Sequence, residues 1–227
     1  MDLAARYFLR PGAAFVRGSL EIDVPHQELE LHVLTVDQQV ETFQFGLDQS
    51  MKMHKFKRTM GLPRVQRVLG ILQGLQPSNL LDVGTGRGVF LWPFLDTFPD
   101  IPVQCIDVLD YRVADLQAIQ KGGWNNLSAD QLDVTNLPFE ENQFEVTTAL
   151  EVLEHIPAFE SAVAELIRVT RRFLIISVPS KEDDNPEHIH LLDQTVFRNL
   201  FSRLGIDGVK FDYVLNHMII VANLQPR

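Results

Sequence analysis

From residue 79 onward, hydrophobic and polar positions alternate between two patterns along the chain. Compact apolar runs predict strands at residues 79–83, 103–107, 144–150, 173–178, 209–214 and 217–222. Apolar residues spaced three or four positions apart predict helices at residues 89–97, 113–121, 158–170 and 194–204. Alternating strands and helices are typical of a parallel sheet with helices on its faces. The short connection at residues 215–216 predicts that the last two strands form an antiparallel hairpin.

The first fifty residues have a different pattern. Polar and apolar side chains alternate over residues 19–24, 28–36 and 39–45, as they do in half-buried strands. We therefore expect a β-rich extension or cap over residues 1–50. The main α/β domain is expected over residues 51–227.

Composition and charge narrow the class of protein. Hydrophobic residues make up 45% of the 227 positions, which is ample for the core of one α/β domain with an appendage. The formal net charge of −10 opposes indiscriminate binding to phosphate backbones or anionic membranes. Residues 51–75 reverse this balance, with six basic side chains and no acidic one. This stretch is either a solvated helix face or a contact for an anionic partner.

Cysteine usage and hydropathy indicate the compartment. Cys105 is the only cysteine, which excludes an intramolecular disulfide and zinc sites of the finger type. The N-terminus does not have the pattern of a signal peptide, and no apolar run is long enough for a membrane span. We expect a cytoplasmic protein.

The most informative segment is residues 80–88, where an apolar strand leads into a glycine-rich turn and then a helix. Glycine suits such a turn because a ligand must approach the backbone closely there. Asp107 ends the next predicted strand, where a carboxylate can accept hydrogen bonds from both ribose hydroxyls. Val89 stands where a dinucleotide-binding turn would have its third glycine, and Asp82 offers a carboxylate to an amino group. The pattern therefore favours a nucleoside that carries an amino acid.

Four segments resemble the successive motifs of class I S-adenosylmethionine-dependent methyltransferases, namely residues 81–88, 107, 133–134 and 151–157. The resemblance extends from about residue 76 to the C-terminus. It implies a Rossmann-like seven-stranded sheet in the order 3-2-1-4-5-7-6, whose seventh strand is antiparallel. It also implies S-adenosylmethionine as cofactor, with contacts from Asp82, Gly84, Thr85, Gly86, Asp107, Val108, Asp133, Val134 and Leu150.

Candidate catalytic residues follow the predicted strands at residues 144–150 and 173–178, at the strand ends where ligands of open α/β sheets bind. They are Glu154, His155 and His190. In one interpretation, the segment that begins at Glu151 only shapes the pocket. In another, Glu151, Glu154, His155 and either His188 or His190, for which we choose His190, hold a divalent ion such as manganese, zinc or iron.

The acceptor stays open at this point. The E-x-x-E-H segment resembles both ubiquinone-biosynthesis O-methyltransferases and small-RNA 3′-terminal 2′-O-methyltransferases. The preferred interpretation is O-methylation of a small or medium-sized molecule. The alternatives are metal-assisted 2′-O-methylation of an RNA end and a sensor or scaffold that binds the cofactor without catalysis. The sequence also leaves a homodimer open.

Three other residues have simpler interpretations. Trp92 lies in a predicted helix and is expected to pack in the core. His217 is assigned to the final hairpin rather than to catalysis. His54 lies in the basic stretch and is a candidate for lining the acceptor pocket.

Overall fold

The computed structural model describes residues 2–58, 61–182 and 184–225. Within them, seven strands form one sheet in the order β3-β2-β1-β4-β5-β7-β6. The strands are β1 (Leu80–Val83), β2 (Val103–Asp107), β3 (Leu127–Gln131), β4 (Phe144–Leu150), β5 (Thr170–Pro179), β6 (Gly208–Val214) and β7 (His217–Asn223). The α-helices are α1 (Leu3–Arg6), α2 (Leu9–Ser19), α3 (Val36–Asp48), α4 (Pro63–Leu75), α5 (Leu91–Thr97), α6 (Asp110–Lys121), α7 (Phe159–Val169) and α8 (Gln194–Arg203).

The pairing of the strands confirms the predicted fold class. β4 pairs in parallel with β1 and with β5, and β2 pairs in parallel with β3. β7 is antiparallel to both β5 and β6, so the last two strands form the expected hairpin. This is the mixed, mostly parallel sheet of a Rossmann-like methyltransferase fold.

The three strands predicted before residue 50 are wrong. The segment predicted as a third strand lies in helix α3, whose start is fixed by a capping box between Thr35 and Gln38. Apolar residues at 36, 40, 43 and 47 also have helical spacing, and this places Phe43 in the core with no exposed surface. The capping hydrogen bonds and this burial together favour the helix over the strand. Residues 28–36 contain a 3₁₀ turn at Leu31–Val33 and, at Val36, the first residue of α3.

The chain divides into two compact units, described separately below. The first unit comprises Met1–Gly61 and Thr85–Gln131, and the second comprises Leu62–Gly84 and Leu132–Arg227. The boundary expected near residue 50 stays a prediction.

Within the first unit, helix α2 packs against helix α6 at very close range. A Cβ atom added at Gly18 would lie 1.8 Å from the carbonyl oxygen of Ala118, and one added at Gly122 would lie 1.8 Å from that of Ala14. Both positions therefore require glycine. This contact anchors the N-terminal helix on the helix that follows β2.

The core of the second unit lies along β4, β5 and β7. Side chains such as those of Val146, Leu174 and Ile220 have no exposed surface there. In the parts of the chain that the structure describes, no helix combines the length and the hydropathy needed to cross a bilayer.

Candidate cofactor and acceptor residues

The glycine-rich turn and Asp107 lie together in the first unit. The backbone N–H of Gly86 donates to Oδ2 of Asp107 at 2.9 Å, and the N–H of Leu109 donates to Oδ1 at 3.0 Å. The N–H of Thr85 donates to the carbonyl of Ile106 at 3.3 Å. These bonds fix a buried carboxylate, which is 6% exposed, against the turn. Because an ionised carboxylate offers about four acceptor positions, Asp107 keeps capacity for ribose hydroxyls.

Apolar surface follows directly after Asp107. Val108 is 60% exposed, and Leu109 and Tyr111 are 38% and 59% exposed. Three large side chains that stay in water next to a buried carboxylate offer an apolar surface to a flat ring. The acceptor carboxylate of Asp107 and this apolar surface therefore fit an adenosyl group.

Trp92 supports the far end of the same turn. Gly88 has a left-handed φ of 74°, and a Cβ added to it would lie 2.2 Å from the indole ring of Trp92. The indole N–H donates to the carbonyl oxygens of Arg87 and Lys55, both at 2.9 Å. The turn is thus closed against a buried side chain that also contacts the N-terminal segment.

The second unit contains the start of the turn and the first-strand carboxylate. Asp82, 3% exposed within β1, accepts a hydrogen bond from the hydroxyl of Thr148 at 2.8 Å. Gly84 has a φ of 64°, and a Cβ added to it would lie 2.5 Å from a methyl group of Val152. The close approach of Val152 requires glycine at position 84.

The residues predicted near adenine differ in exposure. Asp133 is exposed, and its Oδ1 accepts hydrogen bonds from the N–H and the hydroxyl of Thr135 at 2.9 and 2.8 Å. These two bonds lower the pKa of the Asp133 carboxyl. Val134 is buried, and Leu150 is half-buried at the end of β4.

Glu151 lies in a polar cluster of the second unit. Its backbone has a left-handed φ of 58°, and its N–H donates to the carbonyl of Ser177 at 2.9 Å. Its carboxylate accepts a hydrogen bond from the Ser177 hydroxyl at 2.8 Å and lies 3.1 Å from Nε2 of His217. Nε of Arg64 lies 4.0 Å from the same carboxylate. A strained backbone held by three neighbouring elements is typical of a functional position.

A second polar cluster contains the other predicted acid and base residues. Glu154, His155 and His188 each offer one ligand atom, and these atoms lie within 4.8 Å of one another. Glu154 is 1% exposed, and the two imidazole rings lie 4.8 Å apart in an edge-on arrangement. A buried carboxylate with two imidazoles is a donor set that suits manganese, zinc or iron.

The structure brings together only part of the predicted metal set. Nε2 of His190 lies 3.1 Å from the carbonyl oxygen of Ile156, and its ring packs on Phe159. Glu151 has its contacts in the Ser177 and His217 cluster. The group that includes Glu154 and His155 is completed by His188.

Most of the basic side chains between residues 52 and 67 form ion pairs inside their own unit. In the first unit, Lys55 pairs with Asp115 and Arg58 with Asp96. In the second unit, Arg67 pairs with Asp212 and Arg64 lies beside Glu151. These pairs reduce the positive charge that the stretch offers to an anionic partner.

Sequence reasoning missed two members of the Glu151 cluster. Arg64 was treated as part of a charged surface and His217 as a hairpin residue. The strand order contained a signal for His217, because the first residue of an antiparallel β7 reaches the edge of the sheet where β4 and β5 end. Arg64 reaches this edge through the packing of α4, which the sequence does not encode locally.

Residues 81–174 match the family model described as a methyltransferase domain. With the seven-stranded sheet, this match confirms the resemblance to class I S-adenosylmethionine-dependent methyltransferases. Residues 81–174 are therefore similar to a methyltransferase domain of that class.

Individual relatives are more distant. The chain is 25% identical over 107 residues to the malonyl-[acyl-carrier protein] O-methyltransferase of Geobacter sulfurreducens. This match covers 46% of this chain and 40% of the relative. The chain is 31% identical over 98 residues to the norajmaline N-methyltransferase of Rauvolfia serpentina, covering 41% and 32%. A methyltransferase structure from Aquifex aeolicus, described as SAM dependent, matches with a TM-score of 0.58 at 19% identity, covering 73% of this chain and 92% of that one. The chain spans less than half the length of the two curated relatives.

Proposed function

We propose that the protein is an S-adenosylmethionine-dependent methyltransferase that methylates an oxygen atom of a small or medium-sized acceptor. The observation that carries the cofactor assignment is the hydrogen bond from the glycine-rich turn to Asp107, which lies within the matched methyltransferase domain. The exposed apolar side chains after Asp107 support an adenine-binding surface.

The proposed transfer is an in-line displacement at the methyl carbon. An oxygen lone pair of the acceptor forms the new bond to carbon, the carbon–sulfur bond breaks, and its electron pair stays on sulfur. An alcohol or phenol must also lose its proton. A side chain that accepts this proton is therefore expected beyond the carboxyl ends of the strands.

Glu151 and His217 supply the proton-accepting chemistry for an oxygen acceptor. Their side chains lie 3.1 Å apart and are 19% and 25% exposed, so a substrate can reach them. Ser177 and Arg64 hold the carboxylate in place. By their names, the two curated relatives act on oxygen and on nitrogen respectively, so the choice of oxygen for this chain rests on the carboxylate–imidazole pair.

Two measurements test this proposal. Calorimetric titration with S-adenosylhomocysteine should show stoichiometric binding, and loss of all heat with both this compound and S-adenosylmethionine would reject the cofactor assignment. Methyl-labelled S-adenosylmethionine is then supplied with panels of phenols, carboxylic acids and amines. We expect label in oxygen-linked products, with a large loss of turnover but little loss of cofactor binding in Glu151→Gln and His217→Gln. His32→Gln is the control, because His32 is exposed and is distant in sequence from both Glu151 and His217.

A second candidate function is metal-assisted methylation of an acceptor with two neighbouring oxygen atoms, including the 3′ end of an RNA. The observation that favours it is the cluster of Glu154, His155 and His188. These three side chains would hold the ion, which when bound would supply a positive charge next to the acceptor oxygens.

Titration with Mn²⁺ and Zn²⁺ separates the two candidates. If the cluster binds metal, His188→Gln should weaken binding at least tenfold, because one of three ligands is lost. His190→Gln is the matched control, because His190 lies two residues away and contacts a backbone carbonyl instead. Turnover that is unaffected by a chelator would reject the metal-assisted function and leave the first proposal intact.

A further inference from the structure

The indole N–H of Trp92 joins two segments that are far apart in the sequence. It lies 2.9 Å from the carbonyl oxygen of Arg87 in the glycine-rich turn and 2.9 Å from that of Lys55 in the N-terminal segment. We infer that Trp92 is a positioning residue. It sets the conformation of the turn, and it couples cofactor binding to the conformational ordering of residues 53–56. This inference rests on the proposed cofactor.

At the turn, Trp92 is bonded through both its side chain and its backbone. Its backbone N–H donates to the carbonyl of Gly88 at 3.0 Å, and the N–H of Gly88 donates to the carbonyl of Thr85 at 3.0 Å. The indole lies so close to Gly88 that it leaves no space for a Cβ atom. These three hydrogen bonds and this contact therefore fix the carbonyl oxygens of Thr85, Arg87 and Gly88, while the N–H of Gly86 donates to Asp107.

At the other end, Lys55 lies in a 3₁₀ turn, Met53–Phe56, whose Met53 and Phe56 side chains are buried. The ring of Phe56 is fully buried and lies 5.2 Å from the indole of Trp92. The Lys55 ammonium lies 2.5 Å from a carboxylate oxygen of Asp115 and 4.1 Å from the ring centre of Phe15. Asp115 belongs to α6, so the same 3₁₀ turn contacts the helix that begins after Asp107.

A shared donor makes the two segments interdependent. If the turn moves, the indole N–H loses its hydrogen bond to the carbonyl oxygen of Arg87. If residues 53–56 move, it loses its hydrogen bond to the carbonyl oxygen of Lys55. A ligand that orders the turn fixes the indole ring, through Arg87 and Gly88, where its N–H reaches the carbonyl oxygen of Lys55, and so favours the ordered N-terminal segment. Because coupling between two sites acts in both directions, that segment in turn favours the ligand. The N-terminal segment, which lies outside the matched domain, thereby contributes to cofactor affinity through Trp92.

Trp92→Phe tests the inference, since it keeps an aromatic ring and removes the N–H. Trp124→Phe is the matched control. Trp124 is buried in the same unit, and within the described residues its indole nitrogen has no hydrogen-bond partner. Trp92→3-benzothienylalanine is the second variant, because it keeps the bicyclic shape and replaces the N–H with sulfur. This variant provides the same test if the phenylalanine variant fails to fold.

The first measurement is the affinity for S-adenosylhomocysteine by calorimetry. Loss of one buried hydrogen-bond donor should raise Kd about fivefold to tenfold in both position-92 variants. Trp124→Phe should stay within about twofold of the wild type, because it removes a donor that has no partner.

The second measurement is amide hydrogen exchange in the peptide over residues 53–58. S-adenosylhomocysteine should slow its exchange in the wild type and in Trp124→Phe, but not in the position-92 variants. A purely structural role of Trp92 would change exchange throughout the first unit and leave this ligand effect in place.

The outcomes separate the inference from the proposed function. If the wild type binds S-adenosylhomocysteine and the position-92 variants bind it equally well, the inference is overturned and the proposed function stands. If the wild type does not bind it at all, the proposed function fails and the inference fails with it.

Discussion

The clearest effect of environment on a single residue is at Glu145. This carboxylate lies at the start of β4 and is 7% exposed. Burial alone raises its pKa, but hydrogen bonds from the N–H and hydroxyl of Ser78 and from Arg172 more than offset this and lower the pKa to about 2. The folded chain therefore stabilises the charged form.

The lowered pKa predicts an acid dependence of stability that belongs to this residue. Because the folded pKa is below the ordinary value of 4.5, the stabilisation is complete above that pH and is lost as the pH falls towards 2. Between pH 6 and pH 3 the wild type should lose about 2 kcal/mol of unfolding free energy through Glu145. Glu145→Gln should lose correspondingly less over the same range in urea titrations.

Glu160→Gln is the control for this measurement. Glu160 forms an exposed ion pair with Arg203, with side chains 52% and 61% exposed. Such pairs contribute little to stability, so this variant should follow the pH profile of the wild type. If Glu145→Gln also follows it, Glu145 does not have the depressed pKa.

Individual residues of the site were predictable where the chemistry is local. Asp107 and the glycine-rich turn are each recognisable from a short stretch that follows an apolar run, and the structure joins them by a hydrogen bond. Their role in cofactor binding stays a prediction. His217 and Arg64 were missed because their partner, Glu151, is distant in sequence and is reached only through the sheet order and the packing of α4. His188 and His190 differ by two positions, and only the path of the loop decides which of them joins Glu154 and His155.

Among the strands, the strongly apolar ones were predictable and the weakly apolar one was not. β2 and β4 have the predicted bounds, whereas β3 was missed, because its sequence Leu-Ser-Ala-Asp-Gln has little apolar content and it lies at an edge of the sheet. Helix α3 was misread because its residues fit both a two-residue and a helical period. A capping box, which was present in the sequence, distinguishes the two.

The capping box of α3 gives a prediction for this element. Thr35→Ala removes the oxygen that accepts the N–H of Gln38, so the unfolding free energy should fall by about 1 kcal/mol. Thr35→Ser keeps that oxygen and should restore most of the loss. Urea unfolding followed by circular dichroism measures both variants, and equal stability of Thr35→Ala and the wild type would contradict the capping role.

The charge of the whole molecule bears on the choice of acceptor. The formal net charge is −10. In the basic stretch at residues 51–75, Lys55 and Arg67 are among the side chains that form ion pairs. Both features oppose association with a polyanion.

At physiological ionic strength we therefore expect no change in the fluorescence anisotropy of a labelled RNA oligonucleotide on addition of the protein. A labelled oligonucleotide and a known basic RNA-binding protein provide the positive control. Salt-sensitive binding of the RNA by this chain would instead favour the RNA form of the second candidate function.

The contact between helices α2 and α6 has a consequence for protein engineering. Because Gly18 and Gly122 each face a main-chain oxygen, the two helices touch backbone to backbone with no side chain between them. A chimaera that joins this N-terminal segment to another protein of the same fold must therefore transplant both glycines. Without them the grafted helix would be held away from its support by the width of a methyl group.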